Sequence, residues 1–334
     1  MYQVINNTII KSIVSVVPEK KNKIKKNEKN ENLLRVARVI GVNQSYKSDK
    51  EVSVIDLFEK GSNAILKKNF VNKKNIKFLI CVTQTPDYLM PSCSNILHQK
   101  LNLDKDCVAF DINMGCSGYV YGLFIMMSLI EKTTKNINGL LLVGDTISKT
   151  VNKTDKSNKL LFGDAISATL VEKKKNYKNF FSVGSGTYGY NKLLIKNSGF
   201  KLDDKDKIKP EFFMDGKEVF SFALRSVPNL IDEIIQKSKI KKKDINFFIL
   251  HQANKMMLDK ILNMASIEEK KRLFSIKEYG NTSSASIPIT ICKNLFKKKE
   301  KKFCLLSGFG AGFSFATCLT DITNTKIFKI IKKS

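Results

Sequence analysis

"KKNIKFLICVTQTPDYLM" (residues 73–90) and "KKKDINFFILHQANKMML" (residues 241–258) follow one plan: a lysine cluster, a short apolar strand, then a polar turn. The first continues into strand, turn and helix as "VAFDINMGCSGYVYGLFIMM". The second continues in the same order as "RLFSIKEYGNTSSASIPITICKNL". Each ends in an apolar strand running into glycine, "GLLLVGDTIS" and "KFCLLSGFGAGFSF". Strands alternating with helical stretches predict an α/β fold. The repeated order predicts two α/β halves of one ancestry, residues 1–175 and 176–334. The lysine-rich "EKKKNYKN" that follows "ISATLVE" is the expected linker, near residues 172–185.

A chain of 334 residues, 43% of them hydrophobic, can bury one large core or two packed halves. The net charge of +27 raises the question of nucleic acid. Only four of the 58 basic residues are arginines, the better base and phosphate readers, and the lysines are spread along the chain. No aromatic-interleaved basic groove is visible, so the charge reads as solvated lysine-rich faces. Such faces also attract an acidic protein partner and speed its association. Seven cysteines show no CxxC pair and no metal-ligand spacing, the pattern of reduced thiols in a cytoplasmic protein. The N-terminus lacks the basic start and unbroken apolar stretch of a signal peptide. The longest apolar run, "YVYGLFIMMSLI", is too short to cross a bilayer. "KKNKIKKNEKNEN" (20–32) reads as a mobile loop.

In paired halves the equivalent turns converge, which would bring Cys116, His251 and Asn281 together at strand ends, where α/β folds carry their ligands. Cys116 opens a helix, where the dipole and free amides would lower its thiol toward the thiolate. Gly115 and Gly118 beside it permit a tight turn and close approach. Each residue also has a plainer reading. A cysteine among apolar residues is usually a small hydrophobe. A strand-end histidine is usually a satisfied structural group, and Asn281 in "GNTSSASIP" could be a cap or turn residue. The other histidine, His98 in "ILHQKLNL", reads as structural or solvated.

Taken together, "GCSGYVYG", "LLFGDAISATLVE" (160–172), "HQAN", "GNTSSASIP" and "GFGAGFSFA" (308–316) stand in the order and spacing of a known family. They resemble the β-ketoacyl-[acyl carrier protein] synthase III family. "VTQTPDYLMPS" (82–92) and "MDGKEVFSFAL" (214–224) resemble two further segments of it, and the likeness runs from about residue 33 to 320. The resemblance implies the thiolase fold, a duplicated αβαβα five-layer sandwich, in agreement with the internal repeat. It implies that Cys116 accepts an acyl group from a thioester. It implies that His251 and Asn281 hydrogen-bond the carbonyl of malonyl-[acyl carrier protein] while decarboxylation generates an enolate. It further implies an oxyanion hole of the Cys116 and Ala311 backbone amides, no metal, no tightly bound cofactor, a homodimer, and acyl carrier protein as partner.

Three positions depart from that family's pattern. The position of the family's adenine-stacking tryptophan falls near Arg35, in a chain without tryptophan, and Lys156 resembles a replacement for its arginine partner. Acyl-CoA and acyl-carrier therefore both stand open as the donor. Met90 replaces an aromatic that in relatives crosses the dimer interface into the partner's acyl pocket. Lys255 and Lys260, just after "HQAN", are the expected carrier contacts. The rival readings are a related thiolase-fold acyltransferase or polyketide-type synthase in a dedicated pathway, and a non-catalytic binding protein on the same fold.

Overall fold

The computed structural model describes residues 1–23, 31–133, 137–152, 154–186, 188–199 and 209–333. The first half carries β1 (Tyr2–Pro18), β2 (Lys21–Lys23), α1 (Glu31–Ile40), β3 (Gln44–Tyr46), α2 (Val54–Asn69), β4 (Ile76–Val82) and α3 (Cys93–Lys100). β5 (Val108–Ile112), α4 (Gly118–Glu131), β6 (Asn138–Asp145), α5 (Lys156–Leu161) and β7 (Ala165–Gly184) follow. The second half carries β8 (Leu193–Lys196), β9 (Glu211–Met214), α6 (Gly216–Ser238), β10 (Phe247–Leu250), α7 (Lys255–Met264), α8 (Ile276–Tyr279) and α9 (Ser286–Leu295). It closes with β11 (Phe303–Phe309), β12 (Phe315–Asp321), β13 (Lys326–Ile327) and β14 (Ile331–Lys333).

The repeat read in the sequence reappears in the pairing. β4 pairs β5 and β6 in parallel, and β6 pairs β7 antiparallel. In the second half β10 pairs β11 in parallel and β11 pairs β12 antiparallel. The counterpart of β5 is reduced to a single parallel bridge between Phe248 and Arg272, so the strand expected over "RLFSI" does not form. β12 pairs the last residues of β7, while β1 runs along nearly all of β7. The two halves are thereby joined edge to edge.

Burial explains the layers. "NGLLLVGD" of β6 is buried at every position, the mark of a strand covered on both faces. α4 carries eight buried residues spread around its axis, as a helix in a central layer must. With α9 it packs against β4, β6, β11 and β12 in one shared core. The strands form one ten-stranded sheet, ordered β10-β11-β12-β7-β6-β4-β5 with β1 alongside β7. α2 and α3 cover the outer face of the first half's strands, and α6 and α7 cover that of the second half's. Five layers result, the thiolase arrangement.

Two local expectations are corrected. Residues 172–185 are no linker: the boundary at 175/176 falls inside β7, which crosses from one half to the other as an unbroken strand. Of the stretch 20–32, Lys21–Lys23 form β2 and Glu31 opens α1, while residues 24–30 lie outside the described residues.

Candidate active site

Cys116 sits in a 3-10 turn, Gly115–Ser117, that leads directly into α4. The second half has the matching turn, Ser283–Ala285, leading into α9. His251 and Gln252 follow the last residue of β10, and the His251 amide donates to the Ser307 carbonyl of β11 (2.8 Å). Asn281 is held by its backbone. Its amide donates to Leu161 O (2.8 Å), and its carbonyl accepts from Gly163 N (3.0 Å). Gly163 and Gly280 make that approach possible. A Cβ at either would lie 2.3 Å from Tyr279 O or 2.5 Å from Leu161 O. This is why "LLFGDA", remote in sequence, belongs to the site.

These elements bring Cys116, His251 and Asn281 to the wall of one cavity of about 80 Å³. Its remaining wall is mainly apolar, with Phe162, Leu193, Phe212 and Met257 among the lining residues. Four neighbours unnamed by the sequence reading also matter. Gln84 and Ser283 line the cavity. Gly310 lines it so closely that a Cβ there would stand 2.7 Å from Cys116 Cβ. Ser286 Oγ meets His251 Nδ1 at 2.8 Å. Gln84 lies in the strand-end turn of the first half, the counterpart of "HQAN", so the repeat carried a signal for it.

The other expected residues lie elsewhere. Ala311 stands one position past Gly310, its Cβ 3.3 Å from where a side chain on Gly115 would begin. Lys156 lines a separate groove of about 230 Å³ with Asn32, Leu33, Val36 and Ser157, whereas Arg35 of α1 is exposed and outside that groove. Met90 is 86% exposed and does not line the cavity. Lys255 is ion-paired with Asp259 and lies 4.5 Å from the Phe274 ring centroid. Lys260 is exposed, 5.3 Å from the Phe220 ring centroid. His98 is half-buried, Nε2 meeting Asp104 O at 3.0 Å.

Burial governs the electrostatics. It drives the His251 imidazole down to about 3, opposed only by the Ser283 backbone, so the ring is neutral at physiological pH. It pushes the Cys116 thiol up to about 12, outweighing hydrogen bonds from Ser283 and from its own amide, with Asp145 adding to the rise. The lowered thiol expected from the helix terminus is thus corrected: desolvation of the charged form exceeds what the amides return. Among the described residues no cluster of three or more His, Cys, Asp or Glu could hold a metal ion.

A consequence for stability follows. His251 titrates at about 3 when folded, against an ordinary 6.5 when unfolded, so its contribution is complete above pH 6.5 and falls away as pH drops toward 3. Between pH 7.5 and pH 5 the protein should lose about 2 kcal/mol that a His251→Gln variant does not lose. Urea unfolding of both proteins at the two pH values checks this.

Set against known proteins, residues 110–189 match the family described as 3-oxoacyl-[acyl-carrier-protein (ACP)] synthase III, and residues 235–322 match its C-terminal part. A Campylobacter jejuni protein named for the same synthase is 36% identical over 303 residues, covering 86% of this chain and 85% of that one. The chain belongs to the 3-oxoacyl-[acyl-carrier-protein] synthase III family. The β-ketoacyl-[acyl-carrier-protein] synthase III of Streptococcus sanguinis is 33% identical over 288 residues, covering 84% of this chain and 87% of that one. The crystal structure of a 3-oxoacyl-(acyl-carrier protein) synthase from Burkholderia xenovorans superposes with a TM-score of 0.94 at 33% identity, covering 100% of this chain and 99% of that one. Membership makes the chain an acyltransferase of the condensing type on the thiolase fold, as the sequence motifs implied.

Proposed function

We propose that this synthase loads an acyl group onto Cys116 from acyl-CoA or acyl-carrier and condenses it with malonyl-[acyl carrier protein]. In the first step the Cys116 sulfur bonds to the acyl carbon, and the carrier thiol leaves with the proton. In the second the malonyl carboxylate departs as CO2. Its electrons pass to the thioester oxygen, where His251 and Asn281 donate hydrogen bonds to the developing charge. The enolate carbon then attacks the acyl carbonyl, a C–C bond forms, and Cys116 is released. The observation that carries this reading is one cavity holding the thiol, a histidine kept neutral by burial, and a backbone-pinned asparagine. A neutral imidazole can give a proton to a hydrogen bond without bringing a full charge into an apolar pocket.

The same reading extends to site and assembly. The Cys116 amide and the amide of the Gly310–Ala311 segment serve as the second oxyanion hole, Ala311 by its place beside Gly115. The two halves, which meet within β7, descend from one duplicated unit. The protein works in the cytoplasm as a homodimer. β5 supports the dimer: among the described residues it pairs only β4, leaving its other edge open, with Val108 53% exposed. Exposed Tyr88, Leu89 and Met90 extend an apolar surface that a second copy could cover. No helix among the described residues is long and apolar enough to cross a membrane.

The test is reconstitution with acyl-CoA and malonyl-carrier, read by mass. A 3-oxoacyl-carrier product with CO2 release is expected. Acylation with no condensation product points instead to the acyltransferase alternative. The basic face supplies a further arm. Lys255→Glu with Lys260→Glu should raise KM for malonyl-carrier several-fold and flatten its salt dependence, since exposed charges act mainly on association rate. Acylation by a small thioester should be unchanged. Wild-type use of malonyl-carrier by the double variant at low salt places the docking face elsewhere.

A further inference from the structure

A chain of hydrogen-bonding groups runs from a buried carboxylate to the reactive thiol, with donors fixed as far as the Ser283 hydroxyl. Asp145, buried at the end of β6, receives the Thr83 hydroxyl (2.9 Å), the Gln84 amide (2.6 Å) and Gln84 Nε2 (3.2 Å). Gln84 Nε2 also donates to Ser283 Oγ (2.8 Å), so its two N–H bonds are both committed. Ser283 Oγ lies 3.9 Å from Cys116 Sγ. A hydroxyl that accepts from an amide N–H has its own hydrogen left to give. The other hydrogen-bond partner of the Ser283 hydroxyl among the described residues is the Cys116 sulfur.

The backbone supports the same conclusion. Ser283 is held at φ 51°, in the left-handed region that a serine seldom occupies. Its amide donates to Asn281 Oδ1 (2.9 Å), so this turn also orients the Asn281 carboxamide. Strain of this kind persists where surrounding contacts impose it, and such places are often functional.

We propose that Gln84 is a positioning residue that, anchored by Asp145, turns the Ser283 hydroxyl to donate to Cys116. The hydrogen bond then favours the charged sulfur as it forms in the acyl transfer and as it leaves after condensation. The inference rests on Cys116 as the nucleophile, and its test is chosen to be independent of that reading. Alkylation by iodoacetamide consumes thiolate and needs no acyl donor. With a thiol near 12, the rate at Cys116 should rise tenfold per pH unit from pH 7 to 9. Ser283→Ala should lower it about tenfold at every pH, the effect of one hydrogen bond to a charged group.

Gln84→Met, nearly the same volume without hydrogen bonds, should lower the rate several-fold in the parent and leave it unchanged in the Ser283→Ala background. A structural or purely steric role would give the same fold-change in both backgrounds. Peptide mass locates the label at Cys116, and circular dichroism establishes that each variant is folded. An unaltered rate in Ser283→Ala overturns the proposal, as does an equal Gln84→Met effect with and without the serine. Should Gln84→Met not fold, Ser283→Ala alone still decides whether the hydroxyl donates. Failure of the parent to take an acyl group from acyl-CoA would sink the functional reading, while the alkylation comparison would still report on the hydrogen bond.

Discussion

Cys116→Ser should accept no acyl group on the timescale of turnover, with overall condensation reduced by on the order of 10³-fold or more. Access, and not acidity, singles out this thiol. All seven cysteines are free, and six are buried in the core, at Cys81, Cys93, Cys107, Cys292, Cys304 and Cys318. Burial raises each of their thiols, as it raises Cys116. Cys116 alone among them reaches the cavity with His251 and Asn281. Serine keeps the volume and the hydrogen-bonding capacity of the site, so folding should be unaffected. Intact mass after incubation with acyl-CoA reads the result, and a stable adduct on the variant at the parental rate would remove Cys116 from its role.

The second large effect separates the two half-reactions. His251→Ala and Asn281→Ala should each lower condensation by about 10²–10³-fold, the usual loss for one donor to a developing oxyanion. Both should still load Cys116 to within a few-fold of the parent, because neither donates to the acyl carbonyl in that step. Burial sharpens the expectation for His251. A ring neutral down to about 3 should keep donating as pH falls, so decarboxylation should show no histidine titration between pH 7 and 5. Rates for loading and for CO2 release, measured separately, test both claims. Equal losses in the two half-reactions would mean that these residues act on the cavity as a whole.

Much of this was legible in the sequence, for identifiable reasons. Strands buried on both faces must be continuous apolar runs, so "LLLV" and "FFIL" announced themselves. The repeat then fixed which turns meet. β7 was misread because its middle is solvated. Lys174, Lys175 and Asn176 are exposed, and an exposed stretch of a long strand has the composition of a linker. "RLFSI" failed as a strand because its pairing to β10 goes no further than the Phe248–Arg272 bridge and the Leu273 amide's hydrogen bond to Phe248 O (3.3 Å).

Within the site, the thiol, imidazole and carboxamide were visible as residue types with few alternatives. For Gln84 the repeat pointed only to its turn, and nothing pointed to Ser286, because which polar side chain reaches the cavity or the imidazole depends on backbone geometry. The acidity of Cys116 was misjudged for a related reason. Desolvation is set by everything packed around the turn, whereas the helix terminus is visible locally.

Acylated protein, freed of excess acyl-CoA and then mixed with malonyl-[acyl carrier protein], gives the most direct test of the proposed chemistry. The adduct on Cys116 should disappear in one phase, in step with CO2 release and with the appearance of a 3-oxoacyl-carrier two carbons longer than the acyl group. Loss of the adduct as free acid or as an amide or ester, with malonyl-carrier unchanged, would contradict a decarboxylative condensation at this site.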